Sequence, residues 1–207
     1  MKLFQIQKRI FDIVIGFALL IVSLLIIIPV SILIVVEDGF PIIFKQIRVG
    51  KNRELFYIYK LRSMKKKGNS SSNVKISSGW SDSVPDNFVF KSTGDVNPNI
   101  TQVGKFIRKM SIDELPQFIN VVLGNMSLVG PRPEIQEIAN FYDENQLKRL
   151  NVKPGITGWA QINGRSDMTH KEKIDFDLFY VENQSFKLDL LIFFKTLSVV
   201  FTGRGSK

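Results

Sequence analysis

Residues Ile13 to Val36 read IVIGFALLIVSLLIIIPVSILIVV, two dozen positions without a charge. As a helix this run is long enough to cross the hydrocarbon core of a bilayer, so it defines a membrane-embedded element. A secretory signal peptide fits poorly, because the run exceeds an h-region and no small-residue cleavage site follows Val36. Pro29 removes a backbone donor late in the run and predicts a kink or break. Lys2, Lys8 and Arg9 precede the run, while Lys45, Arg48, Lys51, Arg53, Lys60, Arg62 and Lys65 to Lys67 follow it. Basic residues collect on the cytoplasmic side, so a spanning helix strands one of these groups outside. A helix bent at Pro29 that enters and leaves by one face removes the conflict; a plain spanning anchor with a kink is the alternative. The expected division is therefore a re-entrant helix over 1–36 and a cytoplasmic domain over 37–207.

The chain has 207 residues, enough for one domain with a core of its own beside the membrane element. Its formal charge of +9 points to anionic partners: nucleic acid, an anionic membrane surface or phosphorylated small molecules. The absence of cysteine excludes a disulfide framework, thiol catalysis and cysteine metal sites. With His170 as the single histidine, a catalytic triad and a histidine-rich zinc site are disfavoured, and any metal is a hard ion held by oxygens.

Two apolar-basic segments, IIFKQIRV and ELFYIYKLRSM, flank Gly50-Lys51-Asn52 and predict a β-hairpin between Pro41 and Met64. Residues Lys65 to Pro85 are polar and rich in Ser, Gly and Asn, and read as a mobile loop or lid near the membrane. A short helix from near Thr101 carries Val103, Phe106 and Ile107 and presents Lys105, Arg108 and Lys109. Helical spacing returns over Glu134 to Leu150. VKPGITGWAQINGR, rich in glycine, reads as a folded loop. Thr169 and Glu172 form a capping box for a helix through Ile174 and Tyr180, and Ser185 caps a last apolar helix, Lys187 to Thr202. The elements add up to a mainly α chain with a small β-hairpin, an α+β fold.

The chemistry is expected between Ser111 and Pro133, SIDELPQFINVVLGNMSLVGPRP. Ser111 and Glu114 have the spacing of a capping box, which puts Asp113 and Glu114 in a first helical turn where the dipole favours carboxylates. Pro116 argues that regular helix starts only there. Adjacent helical residues point about 100° apart, so the two acids are expected to have distinct roles. In Gly130-Pro131-Arg132-Pro133 two prolines fix the backbone around Arg132, offering its guanidinium at little ordering cost, as phosphate recognition needs.

These motifs resemble the bacterial sugar transferase family, the small monotopic phosphoglycosyl transferases. The likeness runs through KRIFD at Lys8–Asp12, FKQIRVG at Phe44–Gly50, YKLRSM at Tyr59–Met64, GKFIRKMSIDELPQFINVVLGNMSLVGPRP at Gly104–Pro133, KPGITGWAQINGR at Lys153–Arg165 and DLFYVENQSFKLDL at Asp177–Leu190. The resemblance implies a monotopic membrane protein with interfacial amphipathic helices at the cytoplasmic face of the bacterial inner membrane. Its implied reaction is transfer of sugar 1-phosphate from a UDP-sugar to undecaprenyl phosphate, with release of UMP. Asp113 is then the nucleophile that forms an aspartyl phosphosugar, and Mg²⁺ sits with Asp113. Arg132 grips the nucleotide sugar and Arg108 holds a phosphate. Lys60 and Arg62 are further phosphate contacts; the alternative for them is membrane-surface charge. Glu114 orients the metal, assists the lipid phosphate or caps the helix. His170 receives no catalytic role. Asn97-Pro98-Asn99 stands where the family commonly has Asp-Pro-Arg, and Asn125 stands where Asp is usual. The implied partners are the two substrates and the lipid bilayer, without nucleic acid; a second copy of the chain is a further candidate. The rival reading is a non-catalytic, membrane-tethered basic protein that captures nucleic acid or anionic lipid. A multi-pass transferase is disfavoured by the single hydrophobic segment.

Overall fold

The computed structural model describes residues 2–65, 83–89, 97–164 and 168–202. The expected lid over 65–85 falls largely outside the described residues, as does Arg165. The remainder matches the expected class, mostly helical with a small antiparallel hairpin.

Helix α1, Lys2–Asp38, contains Pro29 within it. Helical structure runs through the proline, so the expected break does not divide the helix. Packing explains why the second half holds: Val30 and Ile34 are buried with Leu61 and Ile107 in one core cluster. Phe11, Ile15 and Leu19 pack on another, beside Val121 and Ile192. The opposite face carries Val14, Phe17, Ile21, Leu25, Ile28, Ile32 and Val36, each more than half exposed. Their three- and four-residue spacing makes a continuous apolar stripe, a surface suited to lipid rather than water.

Strands β1 (Ile43–Val49) and β2 (Leu55–Leu61) pair antiparallel, from Ile43↔Leu61 to Val49↔Leu55. A 3-10 turn at Lys51–Arg53 joins them, with Asn52 and Arg53 at positive φ. The hairpin signal at Gly50-Lys51-Asn52 is borne out. Helix α2 (Gln102–Lys109) starts at Thr101, whose hydroxyl accepts from the Gly104 amide. Gly104 permits the close approach of the chain after β2, since a Cβ there would lie 2.0 Å from the Ser63 carbonyl oxygen.

Helix α3 (Gln117–Leu123) ends at Gly124, which adopts φ +92° as the C-terminal stop. Strand β3 (Ser127–Val129) pairs in parallel with β4 (Gly155–Thr157). Where one helix is expected over 134–150, there are two single turns, α4 (Gln136–Ala139) and α5 (Glu144–Leu147), followed by a 3-10 turn. Asp143 explains the interruption: its carboxylate accepts from the Gln146 amide in a capping box, so a new helix starts there. The expected loop at VKPGITGWAQINGR is also corrected, for it contains β4 and helix α6 (Trp159–Asn163). Tertiary contact overrides its weak local propensity: Gly155 lies against the Gly130 backbone, and Trp159 stacks on Phe179. Helix α7 (His170–Glu182) has the expected Thr169–Glu172 capping box. In helix α8 (Phe186–Thr202), Ser185 Oγ accepts from the Leu188 amide, as a cap does.

Candidate active site

The acidic pair lies in a 3-10 turn, Ile112–Glu114, between α2 and α3. Ser111 adopts a left-handed conformation, φ 55°, and makes no capping hydrogen bond. The expected Ser111–Glu114 capping box is therefore absent. An N-cap needs extended backbone, and the chain reverses at Ser111 immediately after α2 instead. As Pro116 predicts, regular helix starts beyond it.

Glu114 is free of the backbone and bound by two cations. Lys60, on β2, donates to its Oε1 at 2.7 Å. Arg132 donates through Nη2 to Oε1 at 2.5 Å and through Nη1 to Oε2 at 3.3 Å. Burial raises the pKa of Glu114, but Arg132 and Lys60 outweigh it and hold the carboxylate well below the usual range. Asp113 is 9% exposed and, among the described residues, accepts no hydrogen bond and forms no ion pair. Burial raises its pKa, the Glu114 charge adds to that, and Lys60, Arg108 and Arg132 oppose it. Neighbouring acids thus have opposite environments: Glu114 is neutralised by fixed cations, while Asp113 keeps its lone pairs available.

Two elements hold this turn. Asn120 of α3 staples it to β2, donating from Nδ2 to the Tyr57 carbonyl at 2.7 Å and accepting from the Tyr59 amide at 3.2 Å. Arg9 of α1 donates to the carbonyls of Val121 and Val122, both at 2.8 Å, satisfying the last turn of α3.

A second charged network, which sequence reasoning missed, lies beneath Arg132. Arg149 is 1% exposed and binds Asp177 at 2.5 Å, the Tyr142 hydroxyl at 3.1 Å and the Arg132 carbonyl at 3.0 Å. Glu134 accepts from Lys173 at 2.7 Å, the Tyr142 hydroxyl at 3.0 Å and its neighbouring Ile135 amide at 3.2 Å. Burial raises the Glu134 pKa, yet Lys173 and Arg149 bring it down to about 2. The prolines fix the turn locally, and Arg149 fixes it to the domain. Asp177 opens the DLFYVENQSFKLDL motif, so its presence was visible but its partner was not.

Arg62 takes a different place. Its Nη2 donates to the Asp38 and Gly39 carbonyls at 2.8 and 2.6 Å and approaches the Asp38 carboxylate at 3.1 Å. Its charge closes the C-terminal end of α1, where a cation complements the dipole, rather than joining Lys60 at Glu114. Arg108 acts on Asp113 through its charge and is free to meet an anion. The described residues hold no cluster of three or more metal-ligating side chains.

The family model for bacterial sugar transferases matches residues 3–203. The chain belongs to the bacterial sugar transferase family. It is 40% identical over 201 residues to an uncharacterized sugar transferase, EpsL, of Bacillus subtilis, covering 97% of this chain and 90% of that one. It is 36% identical to the exopolysaccharide production protein ExoY of Sinorhizobium fredii, over 97% of this chain and 88% of the relative. A third relative, the UDP-glucose:undecaprenyl-phosphate glucose-1-phosphate transferase of Escherichia coli, is 35% identical over 98% of this chain, which spans 42% of that longer protein. The family match takes in both the acid-bearing turn and the Gly130–Pro133 turn, so the geometry described above lies inside the shared sugar transferase unit.

Proposed function

We propose that this chain transfers a sugar 1-phosphate from a UDP-sugar to undecaprenyl phosphate, through a covalent phosphosugar on Asp113. The observation that carries the reading is the contrast between Asp113, buried and unpaired among the described residues, and Glu114, held by Lys60 and Arg132. An Asp113 oxygen attacks the sugar-bearing phosphorus, the bond from that phosphorus to the bridging oxygen breaks, and UMP leaves with the electron pair. An oxygen of undecaprenyl phosphate then attacks the same phosphorus, and the bond to Asp113 breaks. The product is a polyprenyl diphosphate sugar, and the carboxylate is regenerated.

Charge decides what else is needed. Two like unit charges about 4 Å apart repel by about 4 kcal/mol at an effective dielectric near 20. A carboxylate approaching a diphosphate therefore needs fixed cations beside it. Arg132, with 46% of its side chain exposed, reaches the surface from the Glu114 pair, and Arg108 lies within electrostatic reach of Asp113. Glu114 serves by keeping Arg132 and Lys60 in place, and Arg62 serves by closing α1. Asp113, a hard carboxylate with no partner among the described residues, is the residue that would hold Mg²⁺. When bound, that ion would offset charge on the phosphates.

The monotopic reading is supported by both ends of α1. Lys8 binds Asp189 at 2.6 Å and Asp12 accepts from Ser127 Oγ and the Leu128 amide, each at 2.9 Å. Glu37 accepts from the Gln102 and Val103 amides at 2.6 and 2.9 Å. Both ends are tied to one domain, which supports a reading with both on one side of a bilayer and the apolar stripe in lipid; in that reading the domain lies at the cytoplasmic face of the bacterial inner membrane. The sugar transferase family has little use for the rival reading, since capture of anions alone requires no unpaired acid among cations. Purified protein in nanodiscs, given Mg²⁺, a UDP-sugar and undecaprenyl phosphate, should release UMP. Absence of UMP across a panel of UDP-sugars would overturn the reading.

A further inference from the structure

Among the described residues, Arg48 stands in the site without an acidic partner of its own. The hairpin register pairs Phe44 with Lys60, Gln46 with Ile58 and Arg48 with Phe56. Directly opposed residues of an antiparallel pair share a face, and so do residues two apart on one strand. Gln46, Arg48 and Lys60 therefore project from the same face, the one from which Lys60 reaches Glu114. At the end of β1 the Val49 amide donates to the Glu134 carbonyl at 2.9 Å, setting the Gly130–Pro133 turn against the strand. Arg48 consequently sits between the Lys60–Glu114 pair and the turn that carries Arg132.

Three other arginines of this region have acidic partners, Arg132 in Glu114, Arg149 in Asp177 and Arg62 in Asp38, while the charge of Arg108 acts on Asp113. Arg48 donates one hydrogen bond, from Nη2 to Gln46 Oε1 at 2.7 Å, and makes no ion pair among the described residues. Its Nε is buried and unpartnered. Burial is the largest influence on its ionisation and lowers its pKa, and the charges acting on it are Glu134, Arg132, Glu114 and Glu137. The first of these acids is already satisfied by Lys173, Tyr142 and the Ile135 amide, and Glu114 by Lys60 and Arg132. Two guanidinium groups near each other, one with a buried and unanswered N–H, define a place for a doubly charged anion.

We propose that Arg48 is a substrate-binding residue that grips the donor's diphosphate from the hairpin side, across from Arg132, with Gln46 as its positioning residue. The assignment of the diphosphate to a nucleotide sugar rests on the function proposed above; the anion site itself does not. A guanidinium is needed because its planar fork can keep the bond to Gln46 and still offer Nε and Nη1 to phosphate oxygens.

The test uses the full chain in nanodiscs and three variants, Arg48→Gln, Arg48→Lys and Gln46→Ala. Binding of UDP and of inorganic pyrophosphate is measured by calorimetry without added metal, alongside the KM for donor and for undecaprenyl phosphate. Loss of a charged hydrogen bond should weaken UDP and pyrophosphate binding roughly tenfold or more in Arg48→Gln. Arg48→Lys should recover part of that loss, Gln46→Ala should show a smaller one, and the acceptor KM should not move. A rise in acceptor KM with unchanged UDP and pyrophosphate binding would overturn the donor assignment and give Arg48 to the lipid phosphate. Wild-type affinity in Arg48→Gln and Arg48→Lys, at an unchanged melting temperature, would overturn the inference. A wild-type chain that binds pyrophosphate through Arg48 yet releases no UMP would overturn the reaction while supporting the anion site, and one that releases UMP yet binds neither anion would overturn the anion site while leaving the reaction.

Discussion

Glu114 receives the Arg132 guanidinium on both carboxylate oxygens, at 2.5 and 3.3 Å, although the two residues are separated by a helix, a strand and a proline-bounded turn. That pairing converts an Asp-Glu dipeptide into two different groups. The acid that binds Arg132 is no longer available as a nucleophile, and the acid that does not is left facing the cations that Glu114 holds. With 46% exposure at Arg132, solvent screens the pair, so its value lies in orientation more than in stability.

Asp113→Asn and Glu114→Gln should therefore fail differently. With Asp113 as the proposed nucleophile, Asp113→Asn should lower turnover by roughly four orders of magnitude or more, the scale on which loss of an attacking group acts. Glu114→Gln keeps Asp113 and loosens Arg132 and Lys60, and should lower turnover by about a hundredfold. Incubation with radiolabelled donor and no acceptor separates them. Label should stay on the wild-type and Glu114→Gln chains and be absent from Asp113→Asn; label on Asp113→Asn would move the covalent step elsewhere.

Arg149 positions Arg132 through its carbonyl, and Asp177 neutralises Arg149 where both are 1% exposed. Asp177→Asn leaves a buried cation partly unanswered, which typically costs about 3–5 kcal/mol. Leu178→Ala, a cavity variant in the adjoining core, should cost a comparable 2–5 kcal/mol or so. At a temperature where both remain folded, Asp177→Asn should raise the KM for UDP-sugar and Leu178→Ala should not. Equal KM values would reduce Arg149 and Asp177 to a stabilising role.

The membrane run, the hairpin, the Thr169 cap and the neighbourhood of Asp113 with Arg132 were legible because each rests on local sequence: an uncharged run, a Gly-Lys-Asn turn, capping spacing and proline rigidity. What was not legible depends on contacts distant in the chain. Ser111 carries the capping pattern, but Glu114 gains more from Lys60 and Arg132 than from a backbone amide. Arg62 reads as one more member of a basic cluster until it is seen at the end of α1, 24 residues earlier. Arg48 looks like juxtamembrane charge until the register puts it on the Lys60 face. The strand in VKPGITGWAQINGR exists because Gly155 fits against Gly130, which no propensity encodes.

His170, fully buried on α7, offers a pH signature separate from catalysis. Burial first, and Lys173 next, lower its pKa to about 4 from an ordinary value near 6.5. Between those values the unfolded chain binds the proton and the folded chain resists it, so stability falls as the pH drops from about 6.5 to about 4. His170→Phe should flatten that part of the curve, with the variant's stability at neutral pH reported separately. Thermal unfolding in nanodiscs across this range measures both slopes; parallel curves would show that His170 does not govern them.

The placement of α1 makes the last prediction, about topology. From Asp12 to Glu37 the helix would extend about 37 Å at 1.5 Å per residue, enough to span a bilayer if it stood free. It does not stand free: Lys8 and Asp12 are bonded near β3 and α8, and Glu37 caps α2. A spanning arrangement would have to break one of these sets and leave Asp12 or Glu37 without its amide partners. The chain has no cysteine, so Leu3→Cys and Lys51→Cys each introduce a single thiol. With a membrane-impermeant maleimide, neither position should label in intact cells and both should label once the inner membrane is opened. Labelling of Leu3→Cys alone in intact cells would make α1 a spanning anchor.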